Sequence, residues 1–299
     1  MRLYYIGLFL ILLLSLGHRQ AEAIEISIAP LATEGTPKAL ASEYLKRLLE
    51  ERSSNRIRVK LIPNSDIASE QLLDALSTNR IQLALPEIRS TRTLIPLLQI
   101  YEIPFLFRDR QHLHHIQDEG IGERILQQSA SQQFKPLAIW DGTSRQLIAE
   151  QAQTGPDNNV DRLFQVLRPG TDIAEHPWRE VKLSDLARLQ TINSTSTLTL
   201  THHSTVNSVL LTSQQFWGSL PDDLKVILSG AVKDATYYAR ELAEQADQKA
   251  LENLAERKDL NLYALANAER NQWQKKLRQL YSEHLDKVKL SFTGMIIRD

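Results

Sequence analysis

The stretch Asn55-Arg-Ile-Arg-Val-Lys-Leu-Ile-Pro-Asn-Ser-Asp66, followed by Ile67-Ala-Ser-Glu-Gln-Leu-Leu-Asp-Ala-Leu76 and Ile81-Gln-Leu-Ala-Leu-Pro86, decides the fold class. Ile57, Val59 and Leu61 alternate with Arg58 and Lys60, the period of a strand with one buried face. Pro63-Asn64-Ser65 is turn chemistry, and Ser65 or Asp66 is placed to cap a following helix. Leu72, Leu73 and Leu76 give that helix an apolar face, and Ile81, Leu83 and Leu85 resume the strand period. A strand, helix and strand of this length make a right-handed crossover in a parallel sheet. Ligands of such sheets sit beyond the carboxyl ends of the strands.

Outward from this unit, Ile24-Glu-Ile-Ser-Ile28 alternates and reads as the first strand. Thr36 is placed to cap a helix that has Pro37 in its first position and Leu40, Tyr44 and Leu48 on one face. Pro96 and Pro104 bracket a packed connection. Ile103-Pro-Phe-Leu-Phe107 reads as core or as part of a cleft wall. Leu137-Ala-Ile-Trp140 reads as a short strand ending at Asp141-Gly142. Gln151–Asn159 reads as a loop, Leu163–Leu167 as a strand, and Asn193–Thr201 as an exposed loop entering a hinge strand. From Ser219-Leu-Pro-Asp222 the longest helix begins, with Ser219 as cap and Asp222 and Asp223 at the positive end of its dipole. Leu224, Ile227, Leu228, Ala231, Ala235, Tyr238 and Leu242 keep helical spacing. From Pro221 to Lys258 it spans about 38 residues, roughly 55 Å. A strict heptad is not sustained, which argues against a coiled coil. A second helix is expected near Asn267–Lys287, with Trp273, Leu277, Leu280 and Tyr281.

The chain opens Met1-Arg2, runs apolar from Leu3 to Leu16 and reaches Ala21-Glu22-Ala23, the layout of a secretory leader cleaved before Ile24. The apolar run is short for a membrane span, which takes about 20 residues; an uncleaved anchor is the alternative. There is no Cys, so disulfides, thiolate metal ligands and Cys nucleophiles are excluded. The net charge is −1, and no basic excess makes a case for nucleic acid. No G-x-S-x-G, H-E-x-x-H or phosphate-cradling Gly loop occurs, so no enzyme is expected and no cofactor is implied. His112 and His115 could share a helix face, but no third ligand completes a zinc spacing, and no metal is expected.

Several words taken in order resemble the solute-binding proteins of tripartite ATP-independent periplasmic (TRAP) transporters, the DctP type. They are Thr36-Pro37-Lys38, Ile62-Pro-Asn-Ser65, Leu72-Leu-Asp-Ala-Leu76, Ile103-Pro-Phe-Leu-Phe107 and Phe216-Trp-Gly-Ser-Leu-Pro221. The likeness is good over roughly Ile24–Trp140 and His202–Leu285 and poor between them. It implies an α/β, two-lobed periplasmic binding protein fold with a long C-terminal helix spanning both lobes. The division it suggests is a leader at 1–23, lobe I at 24–141, a shortened and divergent lobe II at 142–203, a return strand at 204–220, and the spine and C-terminal helices at 221–299. It implies a periplasmic protein that captures a small organic acid and presents it to the membrane subunits of a TRAP transporter. The alternative is a degenerate relative serving as a periplasmic sensor or structural partner.

In that family an Arg on a second-lobe strand holds the ligand carboxylate in a bidentate pair, as the planar guanidinium allows. The corresponding word here is Arg162-Leu-Phe-Gln-Val166, so Gln165 stands at the Arg position and supplies hydrogen bonds without charge. Arg168 lies three residues on. Arg145 falls near a second Arg of the pattern, after Trp140-Asp-Gly. The pocket turn of the family has no Asp-Gly here, leaving Gln190 and Asn193 as nearby polar groups, and His202 falls near the strand returning to lobe I. The expected ligand set is thus Trp140, Arg145, Gln165, Arg168, Asn193 and His202, with Arg145 as the carboxylate clamp.

Overall fold

The computed structural model describes residues 23–63, 69–149, 178–188, 196–284 and 286–299. The expected crossover is present. Strand β1 (Ile24–Ala29) pairs in parallel with β2 (Ile57–Leu61) on one side and with β3 (Leu83–Ala84) on the other. Helix α1 (Pro37–Arg52) joins β1 to β2, and α2 (Ser69–Ser77) joins β2 to β3. Residues Ser65 and Asp66 lie outside the described residues. After β3 come two short 3-10 helices, Ile88–Thr91 and Pro96–Glu102, then α3 (Arg110–Asp118) and α4 (Gly120–Ser129).

Two long strands organise the rest, β4 (Phe134–Ala149) and β6 (Thr197–Ser213), which pair antiparallel over most of their lengths. Between them lie β5 (Trp178–Lys182) and α5 (Leu183–Arg188). After β6 follow α6 (Gln214–Ser219), α7 (Asp222–Ala255), β7 (Asn261–Ala264), α8 (Asn267–His284) and α9 (Lys287–Arg298). The seven strands run in the order β2-β1-β3-β6-β4-β5, with β7 also pairing β6. β3 meets the end of β6 at Leu211 and Thr212, whereas β7 meets its start at Thr197–Leu200 and β5 meets the end of β4 at Arg145–Ala149. The first halves of the sheet and the second therefore share only β4 and β6.

Alternation along these strands sorts the core into two faces in each half. In the first half, Ala138, Trp140 and Leu210 pack with α1 and α7, while Ile139, Val209 and Leu211 pack with α2, α4 and α9. In the second half, Ile148 and Leu198 face α5 and the end of α7, while Leu147 and Ala149 face Trp273 and Leu277 of α8. With both faces covered, a sheet buries its polar residues too.

Several expectations are corrected here. β4 does not end at Asp141-Gly142; it continues to Ala149 through a register shift between Asp141 and Ser144. The shift absorbs the turn-forming pair, because Arg110 Nη1 donates to Asp141 Oδ2 at 3.0 Å and fixes it. The described part of Asn193–Thr201 is not an exposed loop: Ser196, Thr197, Leu198, Thr199 and Thr201 are buried, and the strand starts at Thr197. β-Branched Thr suits a strand once both faces are covered. Thr36 stands at the start of α1, but its hydroxyl donates to Thr33 O at 2.6 Å and caps nothing in the helix. Ser219 likewise donates to Phe216 O at 2.8 Å, and α7 begins after Pro221 without a side-chain cap. The helix expected at Asn267–Lys287 ends at His284, and Asp286 caps a further one, accepting from Lys289 N at 2.9 Å.

α7 is 34 residues long, about 51 Å. Its buried stripe is mostly small: Ala231, Ala235, Ala239, Ala243 and Ala250, with Leu224, Leu228 and Leu254 toward the ends. Small residues let the helix lie close across the sheet. It contributes to the cores of both halves, Leu224–Ala239 to the first and Ala250 and Leu254 to the second.

Candidate functional site

Where β4 passes between the halves, α7 pins it. Asp247 accepts from Thr143 Oγ1 at 2.6 Å, from Ser144 N at 2.8 Å and from Arg110 Nη2 at 2.6 Å. Trp140 Nε1 donates to Thr236 Oγ1 at 2.9 Å, so the indole is fixed against the same helix. Asp141 is fully buried, which opposes its ionisation, but the His114 hydrogen bond and the Arg110 charge outweigh burial and hold its carboxyl low.

This crossing forms the floor of a cleft of about 220 Å³ whose lining comes from both halves. Lys38 of α1, Glu87 after β3 and Ser208 of β6 contribute from one half, and Lys182, Ser184 and Arg188 from the other. Trp140 lines the cleft. Lys38 Nζ donates to Leu85 O at 3.3 Å and to Ser208 Oγ at 3.5 Å. An ammonium has three donors, so one N–H keeps no partner among the described residues. Burial lowers the Lys38 pKa to about 8, against the pull of the Glu87 charge and with help from Lys182. Lys182 Nζ donates to Glu87 Oε1 at 2.6 Å.

Beside the cleft lies an ion network that joins the halves. Arg89 donates to Glu180 through Nη1 at 2.6 Å and Nη2 at 3.0 Å, a bidentate pair, and through Nε to Glu102 at 2.8 Å. Arg145, only 4% exposed, donates through Nη1 to Glu180 at 3.1 Å and has Nη2 at 3.4 Å from Glu102. Its Nε donates to Thr205 O at 3.3 Å. His203 Nε2 lies 3.0 Å from Glu180 and its Nδ1 2.6 Å from Thr201 Oγ1. Burial disfavours the charged imidazole and lowers its pKa, so the network assigns the ring proton to Nε2, donating to Glu180. Burial alone would raise Glu180, but the His203 and Arg89 hydrogen bonds and the Arg145 charge hold it well below the usual carboxylate range. Burial wins at Glu102, whose pKa is raised despite Arg145 and Arg89.

Of the six expected ligand residues, Gln165, Arg168 and Asn193 lie outside the described residues. Trp140 is at the cleft. Arg145 is next to it, but the guanidinium is committed to the chain's own carboxylates and is absent from the cavity lining. His202 is exposed, with a left-handed backbone (φ 47°), and lines a different cavity with Phe107, Arg110 and Arg270. The buried imidazole of the pair is His203. Sequence reasoning missed Lys38 and Arg188 as cleft residues and the carboxylates that neutralise Arg145. Thr36-Pro37-Lys38 carried a signal, because a Lys in the first turn of a helix that begins at a strand's carboxyl end faces the ligand position. Among the described residues no group of three or more His, Asp or Glu could hold a metal ion, and His112 instead accepts from Arg108 N at 3.1 Å. No described helix is long and apolar enough to cross a membrane.

The C4-dicarboxylate-binding protein DctB of Bacillus subtilis is 21% identical over 291 residues, covering 88% of this chain and 83% of that protein. A TRAP periplasmic solute-binding protein of Sulfurospirillum deleyianum, solved with bound succinate, shares 21% identity with a TM-score of 0.72, covering 92% of this chain and 99% of its own. One from Pseudomonas aeruginosa, solved with bound L-malate, shares 24% identity with a TM-score of 0.72, covering 87% and 99%. These likenesses establish the two-lobed fold. The family described as bacterial extracellular solute-binding protein, family 7, DctP, matches residues 28–158 and 159–287, running through the segment where the likeness in short words is poorest. The chain belongs to that solute-binding family.

Proposed function

We propose that this protein captures a small organic acid in the cleft between its halves and delivers it to the membrane subunits of a TRAP-type transporter. The observation that carries the reading is Lys38, a cleft-lining ammonium with one donor uncommitted among the described residues. A carboxylate there completes its hydrogen bonds and offsets the cost of its burial. Arg188, exposed on α5 and on the cleft lining, supplies a cation from the other half. Trp140 gives an apolar wall. Arg145 acts at one remove, holding Glu102 and Glu180 in place beside the pocket. The relatives solved with succinate and L-malate support the ligand class.

Titration calorimetry with a panel of short mono- and dicarboxylates tests this. At least one acid should bind at pH 7, and Lys38→Met should weaken it by about 2–5 kcal/mol. Affinity should fall as pH rises through about 8, where free Lys38 loses its proton. Because the folded pKa lies below the 10.5 of an unburied lysine, charged Lys38 costs the ligand-free fold stability at neutral pH, and stability without ligand rises between about 8 and 10.5. If no acid binds, or if Lys38→Met binds as well as wild type with no pH dependence, the reading is wrong. Residues 1–23 are proposed as the export leader, and N-terminal sequencing of the exported protein should begin at Ile24; a start at Met1 would sink this.

A further inference from the structure

Lys182, at the end of β5, reaches the cleft from the second half, and Glu87, just after β3, reaches it from the first. Lys182 Nζ donates to Glu87 Oε1 at 2.6 Å, so a carboxylate of the chain itself already sits on a cleft ammonium. The two side chains are 35% and 34% exposed, so neither is sealed off from the cleft that they line. Glu87 is the one hydrogen-bond partner of Lys182 Nζ among the described residues, which leaves two of its three N–H groups uncommitted there.

The contacts around this pair bring the charges of the cleft together. Glu87 forms a lone bridge to Ser208 of β6, and Val209 N donates to Pro86 O at 3.0 Å, so the backbone at Glu87 is fixed and only its side chain is free to turn. Lys38 Nζ rests on the same place, with Leu85 O and Ser208 Oγ as its acceptors. Burial opposes the charge of Glu87, but the Lys182 hydrogen bond and the charges of Lys182, Arg145 and Lys38 outweigh it and hold the carboxyl below its ordinary pKa. Glu87 is therefore ionised at neutral pH. Its second oxygen, Oε2, lies 4.0 Å from Arg145 Nη2, a buried donor with no hydrogen-bond partner among the described residues. A short swing of the Glu87 side chain would complete that donor. Giving up Lys182 thus leaves Glu87 with another cation to meet.

We propose that Lys182 is a ligand-binding residue masked by Glu87: an incoming carboxylate takes Lys182 Nζ while the Glu87 side chain turns to Arg145. Two carboxylates on one ammonium repel each other at close range, so the ligand and Glu87 compete for Lys182 instead of sharing it. The acid then spans Lys38 in the first half and Lys182 in the second, replacing a bond that the chain makes to itself. This inference rests on the cleft reading and adds a residue, and a competitor for it, to that same site.

Titration calorimetry with succinate on the full chain tests it, in wild type, Glu87→Gln, Lys182→Met and the double variant. Glu87→Gln removes the competing charge and should tighten succinate about tenfold, and Lys182→Met should weaken it by about as much. In the Lys182→Met background, Glu87→Gln should gain no more than about threefold, because no ammonium remains to be unmasked. The inference fails if Glu87→Gln binds succinate no better than wild type, as it would were Glu87 a clamp between the halves. It fails equally if the gain is the same in both backgrounds, which would mean that Glu87 acts through its charge alone, or if Lys182→Met binds as well as wild type. With Lys38→Met weakened in the same titrations, each of these results leaves the cleft reading intact. If neither wild type nor Glu87→Gln binds succinate, the inference falls, whereas the cleft reading falls only with the whole panel of acids.

Discussion

Arg145 shows how a side chain of the expected type, at the expected place, acquires a different role from its neighbours. An Arg after Trp140-Asp-Gly has the shape and charge to clamp a ligand carboxylate. In the fold, Glu180 and Glu102 reach it first. Removing one member of such a buried group leaves the others charged and poorly paired. Arg145→Ala should therefore lower folding stability by about 3–5 kcal/mol, measured by urea denaturation. A variant as stable as wild type would show that the two glutamates are held well enough by Arg89 and His203 alone.

Among the elements, β4, β6 and α7 carry the architecture, and they differ in how openly the chain announces them. α7 was readable from apolar spacing over more than thirty residues. The residues that it buries were only half readable: Ala235 and Ala239 are deeply buried, while Ile227, Tyr238 and Leu242 are only partly so. Ala235 sits on the first-half core beneath a continuous helix, so Ala235→Pro removes a hydrogen bond and drives a ring into the preceding turn. Stability should drop by about 3 kcal/mol or more, and acid-induced stabilisation should shrink with it, both readable by thermal melts. Unchanged melts would mean that α7 is not the support of both halves. β4 and β6 were underestimated for one reason: Asp141-Gly142 and the Ser/Thr run up to Thr201 look like chain breaks when strand partners are not yet known.

For the molecule as a whole, β4, β6, α7 and the passage from α8 to α9 connect the halves among the described residues, and the Arg89 network joins them across the cleft edge. Arg89 and Glu102 belong to the first half, Arg145 and His203 to the second-half ends of the long strands, and Glu180 to β5. Arg89 bridges Glu102 and Glu180, so Arg89→Met should loosen the halves relative to one another without ligand. Small-angle scattering should then show a larger radius of gyration that contracts when a bound acid closes the cleft. An unchanged radius in both states would mean that β4, β6 and α7 set the arrangement unaided.

Local period and order along the chain account for one part of this protein. The parallel strand–helix–strand unit at Ile57–Leu85, the first strand, the long helix after Pro221 and the family likeness all rest on spacing that neighbouring residues impose. Ile57 and Val59 must face one way because a strand has period two, whatever lies opposite. Which polar groups are free to meet a ligand depends instead on packing between distant elements. Lys38 keeps a donor because its neighbours supply just two acceptors, and Arg145 does not because Glu180 comes from 35 residues away. Hydrogen bonding is settled by proximity in space, and no periodicity along the chain records which carboxylate will arrive at which cation.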